Sequence, residues 1–211
     1  MTERPILFSG PMVRAILDGS KTQTRRPIAG RFQADLSFLD CDDAHDAVVT
    51  TEPGGFAGAG WYAYCGSYPD EGSIYLGRCP FGGPGDRLWV RETWACLDAR
   101  TVPGSRLAYR ADVMDGERVR VDAPWRPSIH MPRWASRITL EVLDVRVERL
   151  QDISEEDARA EGWPGPRADI ADPEVHRDAA RDWFMDLWSA TYGAESWAAN
   201  SWTWAVTFKR V

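Results

Sequence analysis

The sequence predicts an α+β fold in which a strand-rich central part is flanked by helices. Apolar and polar residues alternate over 87–94 and 202–208, which is typical of strands with one buried face. A third alternating run, 138–147, changes phase by one residue, as small curved barrels require. With 211 residues the chain is long enough for one large domain, so we expect a single domain over 1–211.

A short helix is expected near the start of the chain. Residues 9–12 (Ser-Gly-Pro-Met) open it with Pro11 near its first position, and Gly19 ends it. The following segment, 19–27, is predicted to be extended, because Pro27 disfavours helical backbone at the residue before it.

The segment from 34 to 86 is acidic and rich in Gly and Pro. So long a stretch without clear periodicity is unusual inside a compact domain, and we interpret it as an insertion or irregular excursion. The aromatic residues Trp61, Tyr62 and Tyr64 indicate that part of it packs.

The strand predicted after Gly85-Asp86 places Leu88, Val90, Glu92 and Trp94 on one face. A carboxylate in phase with apolar residues needs a partner or a function, so Glu92 is either in a structural ion pair or part of the site.

A hairpin is expected further along the chain, where Asp115-Gly116 supplies a turn between strands at 106–112 and 117–121.

Two further strands are predicted, one near residues 138–147 and one at 202–208. After Ile138, Leu140 and Val142 the apolar residues are Leu143, Val145 and Val147, which predicts a bulge or bend. The alternation over 202–208 predicts a half-buried final strand.

Two further helices are expected between those strands. Ser154 is placed to cap a helix that begins with three acidic residues and ends at Gly162. The second helix is predicted from about 173 to 192, with an apolar stripe of Ala179, Trp183, Leu187 and Trp188.

Composition narrows the classes of function. The net charge of −7 argues against bulk electrostatic coating of nucleic acid. Two segments are nevertheless positive: 1–33 has six basic residues against two acids, and 87–149 has twelve against nine. They either meet in a local cleft for an anionic ligand or remain scattered solvated arginines.

The sequence has neither an apolar run long enough to span a membrane nor a signal-peptide pattern, so we expect a cytoplasmic protein. The four cysteines form no CxxC pair, and the three histidines are scattered. We therefore predict no metal site, no organic cofactor and unpaired thiols.

The small number of lysines indicates a candidate site residue. Of the 25 basic residues only Lys21 and Lys209 are lysines. An arginine keeps its proton in a protein whereas a desolvated lysine can lose it, so a retained lysine can mark amine chemistry. Lys21 and Thr24 lie three residues apart and would face opposite sides of a flat strand, so a shared site requires a turn or bulge between them.

Three segments resemble the ASCH domain family. Residues 16–26 resemble its N-terminal signature, a helix that ends in Gly followed by Lys-Thr-x-Thr-x-Arg. Residues 85–92 resemble its Gly-Asp turn into a strand, and 145–162 its strand, capped helix and terminal Glu-Gly. The whole is similar to the longer ASCH proteins often carried by bacteriophages and prophages, with 34–86 and much of 163–200 outside the family pattern.

The resemblance implies a PUA-like fold, a small curved β-barrel with flanking helices, and contact with RNA or nucleosides. It also implies an amidohydrolase that releases acetate from N(4)-acetylcytidine, with Lys21, Thr24 and Glu161 as the catalytic residues. Arg26, Arg91 and Glu92 are candidate substrate-binding residues. If the chain is phage-encoded, the compartment is the host cytoplasm.

Other interpretations remain open. Lys21 and Glu161 can form a structural ion pair beside an ordinary strand residue, Thr24. The chain can also be a non-catalytic RNA-binding module that contacts phosphates through Arg25, Arg26 and Arg91, or an RNA-cleaving ASCH protein.

Overall fold

A computed structural model describes residues 1–28, 47–50, 61–65, 74–98, 100–113, 123–165 and 179–211. Within these ranges there are three α-helices: α1 (Gly10–Asp18), α2 (Glu155–Ala160) and α3 (Ala179–Tyr192). The strands in the same ranges are β1 (Glu3–Leu7), β2 (Gln23–Pro27), β3 (Ala47–Thr50), β4 (Trp61–Cys65), β5 (Ile74–Gly77), β6 (Arg87–Arg91), β7 (Trp94–Cys96), β8 (Leu107–Tyr109), β9 (Thr139–Arg149) and β10 (Trp202–Arg210).

The main sheet has five strands in the order β1-β6-β9-β10-β2, and the fold is α+β as expected. Strands β1 and β6 are parallel, whereas the other neighbours are antiparallel. The largest core cluster joins apolar residues of this sheet to α1, among them Ile6, Val13, Leu88, Leu140 and Val206. The two positive segments therefore meet in one sheet, since β1 comes from the first and β6 and β9 from the second.

The predicted phase change in β9 is a bulge at Leu143. Asp144 pairs with Thr207 and Val142 with Phe208, so Leu143 has no partner in the β10 register. We expected Leu143 to begin the new buried phase, and that was wrong: it is 44% exposed, and burial resumes at Val145. The extra residue points outward because it is the one that the ladder does not pair.

The last strand is more enclosed than its pattern predicted. β10 lies between β9 and β2, and every residue from Trp202 to Val206 is buried, including Thr203 and Ala205. The half-buried prediction was wrong for this part of the strand. Small residues such as Thr203 and Ala205 can lie on a buried face of a sheet as well as on an exposed one. The alternation in the sequence therefore did not show that both faces of this strand are covered.

The helix boundaries follow the sequence. Gly19 ends α1 in a left-handed conformation with φ of 87°, and the Ser154 hydroxyl accepts a hydrogen bond from the Asp157 N–H at 3.0 Å to cap α2. In α3 the fully buried positions are Ala180, Phe184 and Trp188.

The apolar stripe predicted for α3 is rotated by a fraction of a helical turn from the face that is buried in the structure. Trp183 and Leu187 are only partly buried, at the margin of the cluster that α3 forms with Leu150 and Ile153. The predicted start of this helix, 173–178, lies outside the described residues.

Part of the predicted insertion is regular. β3, β4 and β5 form a three-stranded antiparallel sheet between residues 47 and 77, so the irregular interpretation was wrong for these segments. The predicted strand at 106–112 is shorter, because β8 gives way to a 3₁₀ turn at Arg110–Asp112. The predicted turn at 115–116 lies outside the described residues.

Gly162 allows α2 to end against α1 and the start of β2. Its φ is +100°, and a Cβ at this position would lie 3.0 Å from the Ala15 Cβ and 3.1 Å from the Lys21 Cβ. Any larger residue would push Glu161 and Lys21 apart, so this glycine sets the approach of the two segments.

We predict that Gly162→Ala lowers the free energy of unfolding more than Gly165→Ala does. Both residues have positive φ, but no atom lies within 4 Å of a Cβ built at Gly165. The control therefore reports backbone strain alone, about 1–2 kcal/mol, and the Gly162 variant adds an overpacking cost of about 1–3 kcal/mol. Urea denaturation of both variants measures the difference, and equal losses would contradict the close-packing argument.

Candidate active site

Lys21 is buried, with 2% of its surface exposed. Its amine donates hydrogen bonds to the Gln23 carbonyl at 2.8 Å, the Glu161 carbonyl at 2.7 Å and the Glu161 Oε2 at 2.7 Å. Three acceptors match the three N–H groups of an ammonium, so the charged form is fully paired.

The surroundings of Lys21 lower the pKa of its amine below the ordinary 10.5. Burial is the main cause, because it removes water from the charged form. Glu161 opposes this effect, while Arg25 and Arg26 add to it. Lys21 therefore gives up its proton more readily than an exposed lysine does.

The backbone before β2 resolves the spacing problem of Lys21 and Thr24. Lys21 pairs with Glu161 in an isolated antiparallel bridge, outside the strand, and the Thr22 N–H donates to the Ala160 carbonyl at 2.8 Å. The regular strand begins only at Gln23. The break that the site requires therefore lies between Lys21 and the strand.

Lys21 and Arg26 lie on the same side of the sheet, which is the side of Thr24. The Lys21 amine is 5.6 Å and the Arg26 guanidinium 5.3 Å from the centroid of the Phe8 ring. Thr24 shares the strand face of Arg26, two residues away. Thr24 is 3% exposed, and in the part of the chain described here its hydroxyl makes no hydrogen bond.

Glu161 directly follows α2, and its carboxylate lies beside the Lys21 amine. Its Oε2 accepts from Lys21, whereas Oε1 is buried and has no hydrogen-bond partner among the described residues. The Arg25 Nη1 lies 3.6 Å from Oε1, within ion-pair range but beyond hydrogen-bond distance.

A polar network on the opposite face of β2 holds α2 in position. Arg25 is 3% exposed and pairs with Glu148 and, at 2.8 Å, with Asp157. Gln23 and Arg146 also donate to Asp157, at 3.0 Å and 2.9 Å. Burial acts to raise the pKa of Asp157, but these donors and charges outweigh it and lower the pKa. The network ties α2 to β2 and β9.

Arg91 and Glu92 take part in other contacts. The Arg91 Nε donates to the Met131 carbonyl at 3.1 Å, and its guanidinium lies 5.0 Å from the Trp89 ring. Glu92 is 2% exposed and accepts two hydrogen bonds from Arg137, at 2.9 Å and 3.1 Å. Burial raises the pKa of the Glu92 carboxyl, and Arg137 opposes this. Of the two interpretations of Glu92, the contacts support the structural ion pair.

Two cavities meet at Glu161. A small one of about 20 Å³ is lined by Thr24, Arg26 and residues of α3, including Phe184 and Trp188. A larger cleft of about 480 Å³ lies between α1, Gly162 and α3. Met12, Glu161 and Leu187 line both cavities, so the cavities adjoin at these three residues.

The sequence did not identify the side chains of α3 as part of the site. Their aromatic and aliphatic character predicted only a packed helix, and nothing in the pattern indicated which surface the helix covers. The structure packs Phe184 and Trp188 beside Thr24, 160 or more residues earlier in the chain.

Among the described residues no group of three or more His, Cys, Asp or Glu is arranged to hold a metal ion. Cys79 and Cys96 are buried free thiols. No helix within the described ranges is long and apolar enough to cross a membrane. Comparison of the chain with models of protein families, with curated proteins and with solved structures finds no match.

We predict a strong energetic coupling between Lys21 and Glu161. Lys21→Met leaves a carboxylate buried without its main cation, which costs about 3–5 kcal/mol of the free energy of unfolding. Lys21→Met combined with Glu161→Gln should lower the free energy of unfolding by less than the sum of the two single changes. Urea denaturation of the wild type, the two single variants and the double variant, which form a double-mutant cycle, measures the coupling energy.

The pair Lys209–Glu141 is the matched control for this cycle. Its atoms are 3.3 Å apart, but the Lys209 side chain is 54% exposed. A cycle on this exposed pair should give a coupling of about 0.2–1 kcal/mol. Coupling energies of equal size in the two cycles would contradict the claim that burial strengthens the coupling between Lys21 and Glu161.

Proposed function

We propose that this chain is an amidohydrolase that removes the acyl group from N(4)-acetylcytidine or a related modified nucleoside. The observation that carries the proposal is a buried lysine of lowered pKa, held by Glu161 on the side of the sheet where Thr24 lines a cavity. A weak hydroxyl nucleophile needs a nearby base, and a neutral lysine amine can be that base.

In the first step Thr24 is acylated. A neutral Lys21 amine has two N–H groups for its three acceptors, so one hydrogen bond is given up and the lone pair turns toward Thr24. The Thr24 hydroxyl adds to the amide carbonyl carbon while its proton passes to Lys21. The C–N bond then breaks, the nitrogen takes the proton from Lys21, and the free amine of cytidine leaves.

In the second step water releases the acyl group. Water adds to the Thr24 ester and gives a proton to Lys21, and the ester C–O bond breaks as that proton returns to the Thr24 oxygen. The products are one carboxylic acid and one amine for each water consumed. Arg26, which lines the Thr24 cavity, stabilises the negative oxygen of each addition intermediate.

The proposal includes the finer fold assignment, a PUA-like curved barrel. The bulge at Leu143 bends the β9–β10 pair, which favours curvature. A side chain also links the two edge strands of the main sheet, because Arg26 on β2 donates to the Leu7 carbonyl at the end of β1 at 2.5 Å. Both features support a sheet that curls toward closure.

The contacts of Arg25 weigh against the alternative in which this residue binds RNA. The Arg25 side chain is buried and engaged by Glu148, Asp157 and Gln23. Arg26 is bound to the Leu7 carbonyl and stacked on Phe8. Arg25 is therefore not placed to neutralise a phosphate, which an electrostatic RNA interface requires, whereas Arg26 lines the Thr24 cavity.

The test is incubation of the protein with N(4)-acetylcytidine, followed by chromatographic separation of cytidine from the substrate. We expect cytidine from the wild type, and a loss of at least about 100-fold in kcat/KM for Lys21→Ala, Thr24→Ala and Glu161→Gln. Lys209→Ala, at the other lysine, should retain wild-type activity. Because Lys21 must be neutral to act, the rate should rise with pH as the amine loses its proton.

Either of two results would contradict the proposal. A folded wild-type protein that releases no cytidine would exclude the activity. Full activity of Lys21→Ala or Thr24→Ala would exclude the mechanism. Shortened RNA products in a parallel incubation with RNA would instead favour the RNA-cleaving alternative.

A further inference from the structure

The two cavities beside Glu161 differ greatly in size. A volume of about 20 Å³ at Thr24 corresponds to little more than one water-sized group, whereas the cleft of about 480 Å³ falls within the usual range of small-molecule sites. Thr24 lines the small cavity but not the cleft. A substrate that reacts with Thr24 must therefore place a small group in the small cavity and its larger part in the cleft.

We propose that the small cavity is an acyl site that accepts formyl or acetyl groups, and that the cleft binds the amine part of the substrate. This inference rests on the amidohydrolase function proposed above. It assigns the acyl selectivity to α3, whose residues Phe184, Leu187 and Trp188 line the cavity at Thr24.

The chemistry of the first step fixes which part of the substrate lies at Thr24. The Thr24 oxygen forms a bond to the carbonyl carbon, so the group attached to that carbon lies within a few ångströms of Thr24. Phe184, Leu187 and Trp188 line this cavity, and Phe184 and Trp188 are buried in the cluster that α3 forms. A methylene added beyond acetyl in the direction of α3 must displace one of these three side chains. Packed interiors resist such displacement.

The cleft has the features that the amine part requires. Met12 and Trp183 give it apolar and aromatic surface for a planar base, and Ser20 and Arg14 give it polar groups for hydroxyls. These residues come from α1, from the segment after it and from α3, so the cleft lies between structural elements, where ligand sites commonly form.

One oxygen of Glu161 accepts no hydrogen bond from the described residues, and this indicates the kind of bond that joins the acyl part and the amine part of the substrate. Glu161 is 3% exposed, and its Oε1 has no hydrogen-bond partner among the described residues. Glu161 lines both cavities, so Oε1 is placed to accept the N–H of a secondary amide that bridges them. A buried acceptor without a donor costs free energy, and the amide N–H would remove that cost. An ester has no such N–H.

The experiment compares kcat/KM for cytidines that carry formyl, acetyl, propionyl or butyryl on N4. In the wild type we expect hydrolysis of the formyl and acetyl substrates and a loss of roughly 10-fold or more for each added methylene. This series needs no variant, so it decides the proposal even if a substitution in α3 impairs folding.

Leu187→Ala, with Leu187→Val as a milder change, tests the assignment to α3. Leu187 lines both cavities, and its truncation should raise kcat/KM for the butyryl substrate relative to acetyl by roughly 10-fold or more. Met185→Ala is the matched control, because Met185 lies on the same helix and lines neither cavity. The control should keep the wild-type ratio.

The outcomes separate this inference from the proposed function. Hydrolysis of all four substrates at similar kcat/KM would overturn the acyl site and leave the amidohydrolase intact. A wild-type preference for short acyl groups that folded Leu187 variants do not relax would overturn the assignment to α3. Hydrolysis of none of the four would overturn both proposals.

Discussion

The ion pair between Lys21 and Glu161 forms where neither side chain reaches solvent, and the neighbouring elements are arranged around it. Two such charges lose several kcal/mol of hydration each, so the pair is tolerated only with close geometry and additional hydrogen bonds. The carbonyls of Gln23 and Glu161 provide those bonds to the amine. Gly162 permits the close approach, and the network around Asp157 fixes the helix that carries Glu161. The end of α1, the start of β2 and the end of α2 therefore meet at one point.

The same arrangement that holds these elements together prepares the amine for proton transfer. Burial lowers the pKa of Lys21, and the Glu161 carboxylate keeps the amine in one orientation. On the Thr24 side of this point α3 contributes Phe184 and Trp188, so Thr24 is enclosed, while the larger cleft lies at Glu161 and Gly162. Stability and the proposed chemistry thus depend on the same desolvated contacts, which is how perturbed pKa values arise at functional sites.

The sequence predicted local structure better than it predicted contacts. The ends of α1 and α2 could be predicted because Gly19, Ser154 and Gly162 act on their own backbone. The bulge in β9 could be predicted from its phase, but the exposure of Leu143 could not, since it depends on pairing with β10. Spacing argued against a shared site for Lys21 and Thr24, and the resemblance, rather than periodicity, pointed to Glu161, 140 residues away from Lys21. The Arg137 partner of Glu92 and the position of α3 over Thr24 depend on tertiary packing, which leaves no local signal in the sequence.

The most direct test of the account is a titration of the Lys21 amine by NMR. The chain has two lysines, so a protein labelled with ¹³C at lysine Cε gives two resonances, and Lys209→Arg assigns them by removing one. Because burial disfavours the ammonium form, the account predicts that Lys21 titrates below the ordinary 10.5 in the folded protein. A Lys21 resonance that titrates at or above 10.5 would show that Glu161 outweighs burial. The amine would then stay charged, and the ion pair would be structural alone.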